Sequence, residues 1–120
     1  MTKEPVVLKR IDIEEEPPEK ICHESGTSLE NAIVLTANQP PGTNKMLIHL
    51  TAIQKEYQIV HRMICACGKL GHAQIMMQMM IEKQGKKYDV LKLRCPEKGN
   101  TWTIYFDITD VLKHVPQEEQ

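Results

Sequence analysis

Residues 88–108 read YDVLKLRCPEKGNTWTIYFDI, and this stretch has the pattern of a β-hairpin. Leu91, Leu93 and Cys95 alternate with other residues, so they would share one face of a strand. A turn-forming run follows at 96–100, and beyond it apolar side chains occupy every second position: Trp102, Ile104, Phe106 and Ile108. We therefore predict two antiparallel strands that bury a common apolar face.

Segments upstream of the hairpin predict the rest of the sheet. Apolar residues occupy every second position from Ala73 to Ile81, with Gln74 and Gln78 among those between them. The turn-like run at 82–87 favours a strand there over a helix. Residues 31–37 indicate another strand, and residues 46–50 indicate a further short one. The run 38–44 between them contains two prolines and a glycine, which predicts a loop.

Two helices complete the predicted fold. Apolar residues recur at helical spacing over 52–64, and Thr51 with Gln54 three residues later fits a capping box. Thr109 would cap a last short helix from Asp110 to His114. The sequence thus predicts a small single α+β domain, with a mostly antiparallel sheet and one or two helices.

The two ends of the chain differ in composition from the region between them. Residues 1–20 carry six acidic and four basic side chains and a Pro17-Pro18 pair, which favours a flexible acidic arm. The alternation from Val7 to Ile13 leaves a short edge strand as the alternative. Residues 21–115 form the predicted domain, and 116–120 form a solvated tail.

Composition and charge exclude several classes of protein. A chain of 120 residues suits one domain, and no apolar run approaches the roughly 18–20 residues of a membrane span. The net charge of −1 excludes a strongly basic nucleic-acid binder by bulk charge, although a local basic patch can still bind. The few cysteines and the polar N-terminal residues favour a cytoplasmic protein with reduced thiols and no membrane partner.

All four cysteines, Cys22, Cys65, Cys67 and Cys95, lie beside turn residues. The segments CHESG at 22–26 and CPEKG at 95–99 share the pattern Cys-x-Glu-x-Gly, and CACG at 65–68 also ends at a glycine. These segments resemble the knuckles of zinc ribbons, but Ser25 and Lys98 stand where such a knuckle has its second cysteine. The resemblance implies a structural zinc ion held by all four cysteines, or by three of them with His72 or His23.

Two other interpretations of the cysteines stay open. Cysteine also packs as a small apolar side chain, and Cys95 on the predicted apolar face fits that role. A closely spaced pair such as Cys65 and Cys67 can form a strained, reducible disulfide. The alternative function is therefore a small thiol-redox or metal-dependent protein that uses this pair.

A run of methionines gives a first candidate surface for a partner. On the predicted strand, Met77 and Met79 would face the core, whereas Met76 and Met80 would face outward. Exposed apolar strips of this kind usually mark contacts with another molecule.

A basic patch on the hairpin gives a second candidate surface. Lys92 and Arg94 would share its outer face with Tyr105, and a basic sheet face with an aromatic ring suits single-stranded nucleic acid. A protein partner is the first expectation, and nucleic acid is the second.

The sequence contains no catalytic signature, since it has neither a phosphate-binding glycine-rich loop nor the motifs of serine hydrolases or zinc peptidases. We therefore favour a non-catalytic binding or adaptor domain over an enzyme. Zinc is the one cofactor that the sequence suggests.

Overall fold

The computed structural model describes residues 4–38 and 44–113. Within these residues the fold is α+β, with one sheet and two helices, as predicted. The elements in chain order are β1 Arg10–Asp12, β2 Ile33–Thr36, α1 Lys45–His61, β3 Gln74–Lys83, β4 Lys86–Arg94, β5 Thr101–Asp107 and α2 Thr109–Leu112. No helix among them combines the length and apolar character needed to cross a membrane.

The five-stranded sheet is mixed, in the order β1-β2-β5-β4-β3. The long strands β3, β4 and β5 pair antiparallel, whereas β1 with β2 and β2 with β5 pair parallel. Parallel strands are joined by long connections, so no turn motif in the sequence indicates that they pair. The antiparallel half of the sheet could therefore be predicted, but the parallel half could not.

The predicted hairpin is present with the predicted faces. Leu91 pairs with Ile104 and Leu93 with Trp102, and both leucines are fully buried. The expected third strand pairs with β4 through a tight turn at Gln84 and Gly85, which both have positive φ. Two such residues in succession match the type I′ turn that suits the twist of a hairpin.

Helix α1 begins well before the predicted position. Residues 46–50 are its first turns and not a strand, because the Asn44 side chain accepts hydrogen bonds from the N–H groups of Met46 and Leu47. The Thr51 hydroxyl donates to the Leu47 carbonyl inside the helix, so Thr51 is not a cap. The capping box at Thr51 and Gln54 thus does not mark the start of α1.

Helix α2 lies close to its predicted place, although Thr109 does not cap it. Ile108 is the N-cap residue, and the Thr109 hydroxyl accepts a hydrogen bond from the Lys87 N–H. This bond ties the start of α2 to the start of β4. The predicted end at His114 and the predicted tail lie outside the described residues.

The described part of the predicted arm is packed against the domain. Its residues 10–12 form β1, and Leu8, Ile11 and Ile13 are buried in the core. The Lys55 ammonium donates to the Glu15 carbonyl, which fastens the segment to α1. The short edge strand that the alternation left as the alternative is therefore present at residues 10–12. The alternating apolar side chains made the edge strand, and they outweigh the charges around them.

The main core lies between α1 and one face of the sheet, which we call the helix face. Its centre comprises residues from β2, β4, β5 and α1: Ile33, Leu35, Ile59, Leu91, Leu93, Ile104 and Phe106. On the opposite face, the outer face, a smaller cluster joins Tyr88 and Val90 to Ala32. The C-terminal ends of α1 and β4 lead directly into the loops that contain three of the four cysteines.

Candidate metal centre

The loop after α1 forms a tight turn around Cys65 and Cys67. The Gly68 N–H donates to the Cys65 carbonyl over 2.8 Å, and the Cys65 N–H donates to the Lys69 carbonyl over 2.9 Å. Gly68 has φ +91°, a conformation that favours glycine. The turn therefore presents both thiols from adjacent positions of one short loop.

The loop after β4 forms a second turn, around Cys95. The Gly99 N–H donates to the Cys95 carbonyl over 2.7 Å, and Gly99 has φ +77°. The Lys98 N–H points at the Cys95 sulfur, 3.3 Å away. A backbone N–H aimed at a sulfur helps to hold a thiolate, and the turn at 95–99 has this geometry without a second cysteine.

The two turns bring three sulfur atoms together. The Sγ atoms of Cys65, Cys67 and Cys95 all lie within 4.8 Å of one another, with Cys65 and Cys95 buried and Cys67 half-buried. In a tetrahedral zinc site with Zn–S bonds of about 2.3 Å, neighbouring sulfurs stand about 3.8 Å apart. A modest inward movement would thus suffice, and the cluster can hold a metal ion.

Two further ligand atoms lie at the open side of this cluster. Cys67, His72 and Glu97 form an overlapping group whose ligand atoms also lie within 4.8 Å of one another. The His72 Nε2 is 3.3 Å from a Glu97 carboxylate oxygen, which also pairs with the Lys69 ammonium at 2.5 Å. The carboxylate of Glu97 therefore holds the imidazole beside the sulfurs.

The thiols of Cys65 and Cys95 influence each other's ionisation. Burial, partly offset by the Cys67 N–H and reinforced by the thiols of Cys95 and Cys67, raises the pKa of Cys65 to about 11. Burial acts in the same direction on Cys95, but the Lys98 and Glu97 N–H groups and the other two thiols outweigh it and lower the pKa of Cys95 to about 7. Further thiolates at this distance repel one another unless a cation joins them.

The fourth cysteine belongs to a different turn. Cys22 is in neither group of clustered ligands, and its thiol lies 3.8 Å from a Glu24 carboxylate oxygen. Ser25, at the second knuckle position, is buried and accepts a hydrogen bond from the Leu8 N–H. This turn anchors the N-terminal segment, and His23 beside it is exposed and also outside both groups.

Of the predicted metal ligands, the structure thus brings Cys65, Cys67 and Cys95 together and places His72 beside Cys67, whereas Cys22 lies in neither group. Sequence reasoning did not identify Glu97 as a neighbour of His72. The only signal for it was its position inside the Cys95 turn, where a short loop must keep its side chain near the sulfur.

The methionines of β3 do not divide into a core pair and an outward pair. A bulge between Ile75 and Met77 shifts the register, and Met76, Met77, Met79 and Met80 are 55%, 49%, 46% and 58% exposed. The prediction that Met77 and Met79 are core residues is therefore wrong. An edge strand has a neighbour on one side only, and alternation within the strand cannot reveal that.

The predicted basic surface shares the outer face. Lys92 pairs with Thr103 and Val90 with Tyr105, so Lys92, Arg94 and Tyr105 lie on the same side of the sheet. Lys92 is exposed, whereas the Tyr105 ring is half-buried against the small outer cluster. Met77 pairs with Lys92 and extends this surface with an apolar side chain.

The cysteine cluster has the chemistry of a closed site more than that of a reactive one. A reactive cysteine needs an accessible thiolate. The pKa of Cys65 is raised, and Cys95, although its pKa is lowered, is buried like Cys65. Three sulfurs and an imidazole would fill the four positions around zinc, as in structural sites. Comparison of the chain with family models, with curated proteins and with solved structures gives no match.

Proposed function

We propose that this protein is a non-catalytic protein-binding domain whose fold is closed by a structural zinc ion. Cys65, Cys67 and Cys95 are its sulfur ligands, and His72 is its fourth ligand. The convergence of three sulfur atoms within 4.8 Å, from loops that lie far apart in the chain, is the observation that supports the proposal most directly.

The position of the cluster fits a structural role for the metal. Its first loop follows the end of α1, and its second follows the end of β4, so one ion would join the helix layer to the sheet. Zinc binding in such a domain adds directly to the free energy of folding. A small domain with a limited core benefits from this contribution.

The outer face supports the binding role. Lys92 and Arg94 give it positive charge, and the neighbouring Met77 is half exposed. Interfaces commonly combine an apolar contact with a charged rim, which suits an acidic protein surface. The half-buried Tyr105 ring has little free area for stacking on bases, so nucleic acid is the weaker candidate.

The metal content of the intact protein, purified without chelator, tests the proposal. We expect one zinc ion per chain and a large fall in melting temperature when a chelator removes it. Cys65→Ser, Cys67→Ser and Cys95→Ser should each lose zinc and destabilise the fold. Cys22→Ser is the matched control and should keep both the metal and the stability.

Replacement of the fourth ligand refines the same test. His72→Ala should weaken zinc binding severalfold or more and leave the stoichiometry at saturation unchanged, whereas Glu97→Gln should have a smaller effect because it only orients the imidazole. A protein that contains no metal and whose melting temperature does not change with the chelator would contradict the zinc proposal. Reversible formation of a Cys65–Cys67 disulfide in such a protein would instead support the thiol-redox alternative.

A further inference from the structure

Strand β3 forms one edge of the sheet, and no described residue pairs with its outer side. It is ten residues long, and from Gln74 to Ile81 it contains no charge, proline or glycine. Proteins usually protect a sheet edge with charges, prolines or a short strand. The opposite edge strand, β1, is protected in this way, since it has three residues and includes Arg10 and Asp12.

The open edge is also apolar on both faces of the sheet. Met77 pairs with Lys92 on the outer face, whereas Met80 pairs with Asp89 on the helix face. All four methionines of the strand are about half exposed. An unpaired strand with exposed apolar side chains is a template for pairing with another strand.

A stripe of apolar side chains on α1 meets the same edge strand at Tyr57. Met46, Leu50, Ile53 and Tyr57 recur at intervals of four, three and four residues, which places them on one side of the helix. The Tyr57 hydroxyl donates to the Gln78 side-chain oxygen over 2.7 Å, which fixes that side of the helix over β3. The opposite side of α1 is occupied, since Lys55 binds the Glu15 carbonyl.

We propose that a second copy of this chain covers this edge. The two β3 strands pair antiparallel across a two-fold axis, and the α1 stripe packs against the same stripe of the partner. A helix stripe and a strand edge that lie side by side fit this arrangement, because a two-fold axis through the edge brings each into contact with its own copy. The two sheets then become one continuous sheet.

The charges of β3 permit this self-pairing. They are confined to Glu82 and Lys83 at one end of the strand, and the other end from Gln74 to Met77 is uncharged. Antiparallel pairing sets the charged end of each strand opposite the uncharged end of its partner. No like charges then face each other directly across the interface.

The exposed apolar area approaches that of a standard dimer interface. Seven side chains on the stripe and the edge are about half exposed on average: Met46, Leu50, Tyr57, Met76, Met77, Met79 and Met80. At roughly 100 Å² each they offer roughly 700 Å² of apolar surface, before the strand backbone is counted, against about 800 Å² per partner in a standard interface. The proposal goes beyond the proposed function and does not depend on the identity of the metal.

Sedimentation of the full chain, as purified, over a concentration range up to about 100 μM tests this proposal. We expect a dimer of twice the 13.8 kDa chain mass. Met79→Lys on the edge and Leu50→Glu on the stripe should each raise the dissociation constant at least tenfold. Val7→Lys is the matched control, since Val7 is 50% exposed on a distant segment while Leu50 is 49% exposed, and this variant should remain dimeric.

Thermal unfolding of each variant separates loss of the dimer from loss of the fold, and hydrogen exchange locates the interface. The β3 amides should become more protected as the concentration rises through the dissociation constant. A wild-type protein that stays monomeric would overturn the proposal. A strand of another protein would then be the candidate to pair with the β3 edge. A dimer that survives both variants, or that leaves the β3 amides unprotected, would overturn it as well.

Discussion

Glu56 is an acidic residue in a buried position, which is an unusual environment for its side chain. It lies on α1 with its carboxyl group fully buried, and neither oxygen has a hydrogen-bond partner of good geometry among the described residues. Burial, together with the neighbouring Asp89 carboxyl, raises the pKa of Glu56 to about 11. Glu56 is therefore protonated in the folded protein at neutral pH, which lowers the stability there relative to acid.

The direction of the pH effect follows from the two states. The unfolded chain releases the Glu56 proton near the ordinary value of 4.5, whereas the folded chain keeps it until about pH 11. The contribution of Glu56 to stability is complete below its pKa in the unfolded chain. It is lost as the pH rises towards its pKa in the folded protein. The slope can reach about 1.4 kcal/mol per pH unit.

We predict that Glu56→Gln removes this contribution to the pH dependence. Urea unfolding at several pH values between 5 and 9 should show a steeper fall in stability for the wild type than for the variant. An exposed residue, Glu82, provides the control, and Glu82→Gln should leave the slope unchanged. Parallel curves for the wild type and Glu56→Gln would show that the carboxyl group is ionised in the fold.

At the scale of single elements, α1 shows how a local signal can mislead. Asn44 and Thr51 are both good N-cap residues, and Thr51 has the additional support of Gln54. The structure uses Asn44, and the earlier start brings Ile48 into the core. Burial of apolar side chains outweighs the small free-energy difference between two caps.

The choice between these two caps can be measured. Asn44→Ala should lower the free energy of unfolding by about 1 kcal/mol, because it leaves two N–H groups of the first turn without a protein acceptor. Thr51→Ala should change it by less than about 0.5 kcal/mol, since its hydroxyl only bonds back to the preceding turn. Urea titration of both variants is sufficient, and the reverse order would favour a helix that starts at Thr51.

The strand elements were the most predictable part of the fold. The alternation from Tyr88 to Ile108 and the turn at Gln84-Gly85 identify three consecutive antiparallel strands. Their pairing follows from the short connections alone. The bulge at Met76 was not predictable, because one additional residue in a strand leaves no composition signal.

At the scale of the whole molecule, the N-terminal segment contributes to the core. β1 is far from its partner β2 in the chain, yet Ile11 of β1 and Ile13 just after it belong to the same core as α1. The Arg62 guanidinium donates to the Pro17 carbonyl and pairs with Glu16, so the end of α1 also holds this segment. The segment is thus packed against the rest of the domain.

Substitutions in this segment test whether it contributes to the stability of the fold or is a loose arm. Ile13→Ala should lower the free energy of unfolding by about 2–5 kcal/mol, the usual loss for a buried isoleucine. Val7→Ala, at an exposed position of the same segment, should change it by less than about 0.5 kcal/mol. If both variants unfold like the wild type in urea, the segment contributes nothing to the fold.

The sequence alone determined the antiparallel strands, the existence of both helices and the turns that present Cys65, Cys67 and Cys95. These features depend on residues within about ten positions of one another, so periodicity and turn chemistry encode them locally. The tertiary structure alone decided which cysteines converge, how β1 and β2 join the sheet and which edge stays open. Those outcomes depend on contacts between distant segments. The turn of Cys22 is hydrogen-bonded to the N-terminal segment at Leu8, and Cys22 lies outside the cluster. Cys95 lies within it because β4 ends beside the loop that follows α1.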